Sequence, residues 1–196
     1  MRQAMGYKNM RLETDVKEKS VGWGFLPHFQ RTAAEAAAAS TTAILAATAL
    51  TVAAQAITVG ITNPPAPRSI QVVGDAAGMV GNIVITGTAY DGSDITETLA
   101  MNGTTVVEGA KAFSAVTQIE LPAYTHGGTD TVSVGFGNKL GLPYKLSINT
   151  VLAAYLNGVR EATAAAVTVS ATNIEGNTIL LNSALNGTSV DAFLIV

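Results

Sequence analysis

Residues 116–121 read Val-Thr-Gln-Ile-Glu-Leu, and residues 131–134 read Thr-Val-Ser-Val. In the first, Thr117, Ile119 and Leu121 alternate with Gln118 and Glu120. In the second, Val132 and Val134 alternate with Thr131 and Ser133. A period of two with one polar face marks an antiparallel sheet solvated on one side, whereas an amphipathic helix repeats at three and four. These two stretches set the expectation of an all-β chain.

Working outward, β-branched runs predict further strands at 41–48, 50–59, 69–73, 82–88, 96–101 and 105–107 before them. Others follow at 166–170, 178–181 and 190–196. The prolines of Asn63-Pro64-Pro65-Ala66-Pro67 end the opening strands, since proline cannot donate to a ladder. Asp91-Gly92, Asn102-Gly103, Asn157-Gly158 and Asn186-Gly187 each sit between apolar runs. Such pairs suit type I′ hairpins, which need positive φ at both central residues. In 149–160, NTVLAAYLNGVR, the residues Leu152, Tyr155, Leu156 and Val159 fall at helical spacing. Gly158 would weaken that helix by ~1 kcal/mol relative to Ala, and Asn157-Gly158 favours a hairpin. In the last strand Phe193 and Ile195 lie opposite Ala192, Leu194 and Val196, so this end of the chain is expected to be pinned in a sheet.

Composition agrees. The 196 residues include 32 Ala, 24 Thr, 19 Val and 19 Gly, 94 in all, with 13% charged, 6% aromatic and no cysteine. Abundant Thr, Val and Gly favour sheets over helix bundles, and the alanine predicts a thin core of small side chains. Lack of cysteine removes disulfides, thiol nucleophiles and cysteine-based metal sites. A net charge of -3 gives no overall footprint for nucleic acid.

Charge is unevenly placed. Residues 1–31 hold six basic residues (Arg2, Lys8, Arg11, Lys17, Lys19, Arg31) and three acids, hence +3. The remainder holds five basic and eleven acidic residues, hence -6. Residues 1–20 contain no apolar h-region, so they do not read as a signal peptide. They read as an extended arm carrying a local apolar cluster of Trp23, Phe25, Leu26 and Phe29, able to fold back or to anchor on another molecule. Thr32-Ala-Ala-Glu35 fits a capping box, and Ala36–Ala39 would extend a short Ala-rich helix to about Ser40. Residues 36–54 carry no charge, but their Ala, Ser and Thr content gives weak drive for membrane insertion; strands are the reading adopted. The expected organisation is an arm with a short helix over 1–40, then an antiparallel β-sandwich, Ig-like or related, over 41–196. Its lobes would be 41–146 and 147–196.

Little in the chain suggests chemistry. His28 and His126 lack an HExxH or nucleophile-elbow context. Gly135-Phe-Gly137-Asn-Lys139-Leu-Gly141 lacks the Gly-Lys-Ser/Thr of a phosphate loop and reads as a turn leaving the strand at 131–136. Asp91, Asp94 and Glu97 could supply part of a calcium shell of six to eight oxygens, but a solvated turn accounts for them. Asn102-Gly-Thr104 and Asn186-Gly-Thr188 match the glycosylation pattern, and the hairpin reading explains both. No catalytic, cofactor or metal site is expected.

Several short segments carry a family likeness: 60–68 (GITNPPAPR), 73–78 (VGDAAG), 85–88 (ITGT), 100–104 (AMNGT), 107–113 (VEGAKAF), 137–143 (GNKLGLP) and 181–188 (LNSALNGT). Together they resemble structural proteins of tailed-phage and prophage virions, over roughly residues 41–196. The resemblance implies a non-enzymatic virion component, a capsid decoration or auxiliary head protein, with the major capsid protein or other virion proteins as partners. It implies a homo-oligomer, for which a trimer would fit a quasi-symmetric lattice, and no nucleic acid, membrane or cofactor. The expected partner interface comprises Trp23, Phe25, Leu26, Phe29, Arg2, Lys8 and Arg11. A tail or fibre component is the nearest alternative. A carbohydrate- or cell-surface-binding module is another, disfavoured because Tyr90, Phe113, Tyr124, Phe136, Tyr144, Tyr155 and Phe193 mostly interleave with core positions.

Overall fold

The computed structural model describes residues 25–126 and 128–196. Among these the protein is all-β, and every strand pair is antiparallel. The strands are β1 (His28–Arg31), β2 (Ser40–Ala49), β3 (Gln55–Ile57), β4 (Arg68–Gly74), β5 (Val80–Thr88), β6 (Asp94–Asn102) and β7 (Val107–Phe113). They continue as β8 (Ala115–Leu121), β9 (Thr131–Gly141), β10 (Val151–Leu156), β11 (Val159–Arg160), β12 (Ala166–Thr168), β13 (Thr178–Leu180) and β14 (Val190–Leu194). A single 3₁₀ turn at Ile174–Gly176 precedes β13.

Three sheets form. One has the order β3-β8-β5-β6, a second β12-β13-β9-β4-β7 with β2 also on β9, and a third β1-β14-β10-β11. In β8 Ile119 and Leu121 are buried and Glu120 faces solvent, as the pattern predicts. Thr117, expected on the buried face, is exposed and Val116 is buried instead, because the register against β5 shifts between Thr86 and Gly87. Ile83, Ile85 and Ile119 of the first sheet share one buried cluster with Ile70, Val72 and Val134 of the second. A separate cluster joins Phe29 of β1 to Leu140 of β9, Ile179 of β13 and Val190, Ala192 and Leu194 of β14.

β9 spans both clusters, because Val132 and Val134 lie in the first and Leu140 in the second. One of its edges is paired with β4; the other is divided between β2 and β13. This corrects the sequence expectation that residues 135–141 form a turn. Glycine here makes room. A Cβ on Gly135 would lie 1.7 Å from the Ser40 carbonyl oxygen, and one on Gly137 would meet the Glu108 carboxylate.

The Ala-rich helix also does not form. The capping box is made: the Thr32 backbone N–H donates to Glu35 Oε2 at 2.8 Å and the Glu35 N–H to Thr32 Oγ1 at 3.4 Å. One turn follows, closed by Ala36 N–H to Thr32 O at 2.9 Å. The next carbonyls are then taken by distant donors. Gly187 N–H binds Ala36 O at 3.0 Å, and Arg68 Nη1 binds Ala37 O at 2.7 Å. A helix needs those oxygens for its own i+4 amides, so the chain leaves into β2.

Other boundaries shift. The strand expected over 50–59 shortens to Gln55–Ile57, and the one starting at 105 begins at Val107 and runs to Phe113. Residues 149–160 form the hairpin β10–β11. Of the four Asx-Gly pairs, only Asn157-Gly158 has positive φ at both residues, 52° and 71°. The other three place only the glycine there and serve longer connections, so the type I′ assignment is restricted to one turn. Among the described residues no helix is long and apolar enough to cross a membrane.

Candidate functional site

β1 is where the expected interface meets the described structure. Its backbone continues the pairing with β14 beyond the strand ends: Phe25 and Val196 exchange N–H and C=O bonds, both at 2.9 Å. With the register His28↔Phe193 and Phe29↔Ala192, residues 25, 27, 29 and 31 aim their main-chain groups at β14. Residues 26, 28 and 30 aim theirs outward, as antiparallel alternation requires.

The side chains divide the same way. Pro27 and Phe29 are buried, while Leu26, His28 and Gln30 face solvent. Phe29 therefore belongs to the protein's own second core, at 3% exposure. It is not an exposed anchor. Phe25 and Leu26 do project, at 64% and 58% exposure, beside Ile195 and Val196. Trp23, Arg2, Lys8 and Arg11 lie outside the described residues.

β1 is fastened by more than its ladder. The His28 ring stacks on Phe193, centroids 4.7 Å apart and 8° from parallel, and its Nε2 lies 2.7 Å from Asp191 Oδ1. The Arg31 guanidinium sits 4.8 Å over the Phe29 ring, pairs with Glu35 at 3.5 Å and donates to Gly141 O at 3.4 Å. Behind it Arg68 is fully buried. Its Nε and Nη2 donate to Gly137 O, and its guanidinium lies 4.4 Å from the Phe136 ring centroid. Burial pushes the Arg68 pKa down to about 10, partly offset by the nearby Glu108 carboxylate. Arg68 was not anticipated as a positioning residue, since only the folded register brings β4 beneath Ala37.

The outer face of the third sheet carries a second feature missed in the sequence. Tyr155 meets Phe193 edge-on at 5.9 Å, so His28, Phe193 and Tyr155 form an aromatic row. His28 and Asp191 stand 163 positions apart, and no local pattern reveals the pairing that joins them.

The remaining candidates are dispersed. Asp91 Oδ1 accepts from the Ser93 N–H and hydroxyl within its turn, while Glu97 accepts from the Ala110 N–H at 2.6 Å. Asp94 is exposed, whereas Glu97 lies between the buried Ile95 and Leu99 on the alternating face of β6. The three carboxylates do not converge. Among the described residues no group of three or more His, Asp or Glu could hold a metal ion. His126 Nδ1 lies 3.2 Å from Asp130 Oδ1, and the adjacent Thr125 hydroxyl donates to Val80 O. A cleft of about 500 Å³ beside β10–β11 is lined by Leu152, Ala153, Arg160, Ala164 and Ala165, among others. No protein-family model, curated protein or solved structure matches the chain.

Proposed function

We propose that this is a non-enzymatic structural protein of a tailed-phage virion, a capsid decoration or auxiliary head protein with an Ig-like or related β-sandwich. The observation that carries the reading is the pinned, outward presentation of Phe25 and Leu26. The Phe25 backbone is held to Val196 and Leu26 follows it in the same run, yet both side chains are exposed. Apolar side chains on an ordered backbone can dock without a large ordering cost. Five of the basic residues of 1–31 lie ahead of Phe25, so the segment leading from this edge is cationic. Repeated copies on a lattice would multiply a weak single contact.

Electron microscopy of particles made with and without the protein tests this. Extra density over the shell supports decoration; density confined to the tail overturns it in favour of a tail component. Deletion of residues 1–24 with Leu26→Ser should abolish particle binding while leaving the β-fold intact.

A second reading is a carbohydrate- or cell-surface-binding module, favoured by the aromatic row on the third sheet. Against it, one face of Phe193 is already covered by His28 and another contact is taken by Tyr155. A glycan array separates the two readings.

A further inference from the structure

We infer that β1 is an assembly edge, and that two copies of this chain pair antiparallel through it about a two-fold axis at His28.

An open strand edge is a template for another strand, and proteins normally block such edges. The other edges of this protein are blocked or short. β3, β11 and β12 have three residues or fewer. β2 is broken by two register shifts, and its Ile44 carbonyl is taken by Thr62 N–H. β6 and β7 are bridged by the side chains of Glu97 and Lys111. Among the described residues β1 has none of these protections. Its ladder to β14 runs without a register shift, and the outward main-chain groups of Leu26, His28 and Gln30 have no partner among the described residues.

The edge is also complementary to itself. The extended run 25–31 is centred on His28. A two-fold there places Leu26 opposite Gln30 of the second copy, His28 opposite His28, and Phe25 opposite Arg31. No two formal like charges are opposed, because each His28 has its own Asp191 at 2.7 Å. Phe25, more than half exposed, would then lie against the backbone of Arg31 in the second copy, whose guanidinium stays on its own Phe29 ring and Glu35 carboxylate. Two four-stranded sheets become one of eight strands.

Pairing of two copies does not depend on where the protein works. A strictly monomeric protein that still decorates particles would overturn the pairing and leave the virion reading standing.

The chain has no cysteine, so a single introduced thiol reports only contact between copies. Directly opposed, hydrogen-bonded residues have Cα atoms about 5.5 Å apart, within the disulfide range of about 4.4–6.8 Å. On mild oxidation His28→Cys should give a reducible dimer, whereas Gln30→Cys, which does not face itself in this register, should remain monomeric. Native mass spectrometry of the full chain should show a doubling of its 20.0 kDa mass with rising concentration. Leu26→Lys with Gln30→Lys should abolish that dimer, and Leu26→Lys with Gln30→Glu should keep it. A full chain that stays monomeric, a dimer surviving the double-lysine change, or equal crosslinking at 28 and 30 would overturn the inference. Should the double-lysine protein lose its β-sheet circular dichroism, the lysine–glutamate pair and the cysteine series still decide.

Discussion

Glu97 of β6 fills the backbone bulge that carries Lys111 in β7, and Lys111 reaches back to β6. The pairing of β7 with β4 jumps from Ala112 to Glu108. This leaves the N–H groups of Ala110 and Lys111 to the Glu97 carboxylate, at 2.6 and 3.3 Å. The Lys111 ammonium donates to Thr96 O at 2.9 Å. Gly109 makes the approach feasible, since a Cβ there would lie 2.3 Å from Glu97 Oε2. Two sheet edges thus satisfy each other through charged side chains.

Glu97→Ala should lower stability by about 1–2 kcal/mol, because it removes two backbone hydrogen bonds to a charged acceptor. Their donors, exposed at Ala110 and partly buried at Lys111, can take water instead. Glu97→Gln keeps an acceptor oxygen and should lose clearly less. Urea denaturation measures both; equal losses would contradict the capping role.

Phe29→Ala should cost about 3–5 kcal/mol, as for other buried phenylalanines. Phe25→Ser and Leu26→Ser should each stay within about 0.5 kcal/mol of the parent, as exposed changes usually do. Thermal melts distinguish core from interface here, and a large loss at Phe25 would reverse the assignment.

Gly135→Ala should destabilise by about 3 kcal/mol or more, because β2 must move aside to accept the new methyl. Gly92→Ala, at φ 81° with nothing within 4 Å of the added Cβ, should cost only the ~1–2 kcal/mol of a left-handed residue. Denaturant midpoints of the two variants should separate accordingly.

Acid should weaken the fold through three carboxyls. Glu35 is held below its ordinary 4.5 by the Thr32 backbone N–H, with further help from the Thr32 hydroxyl and Arg31. Asp75 is held below its ordinary 3.8 by the Thr131 N–H and hydroxyl, and Asp91 below 3.8 by the Ser93 hydroxyl and N–H. A lowered folded pKa gives stability that is fully present above the unfolded value and is lost as pH falls through the folded one. Stability should therefore decline below the ordinary values of 4.5 and 3.8. Asp75→Asn should flatten that decline when unfolding free energy is followed against pH, and an unchanged slope would argue against Asp75's part in it.

Where structure follows from local pattern, the sequence is a good guide. Ile119 and Leu121 announce β8 by alternation, and Asn157-Gly158 announces its hairpin because both residues must take positive φ. Where a distant group decides, local pattern misleads. Glycines 135, 137 and 141 look like a turn, yet they admit the Ser40 carbonyl, the Glu108 carboxylate and Pro67. Thr32–Glu35 forms its capping box, but Arg68 and Gly187 claim the carbonyls that a helix would need. Of the three expected interface residues that are described, Phe25 and Leu26 project, whereas Phe29 is drawn inward by residues of β9, β13 and β14 that follow far along the chain.

The pairing of β1 with β14 also sets an order of events during synthesis. Asp191 follows His28 by 163 positions, and at 5–20 residues per second that interval lasts roughly 8–30 s. All strands contributing to the first buried cluster precede residue 142, so most of that cluster can assemble while β1 still waits on the ribosome. For that period the Phe29 side chain has no β14 to cover it. The nascent protein therefore passes through a stage in which its sticky leading strand is bare, and a chaperone or an early-bound neighbour has time to meet it.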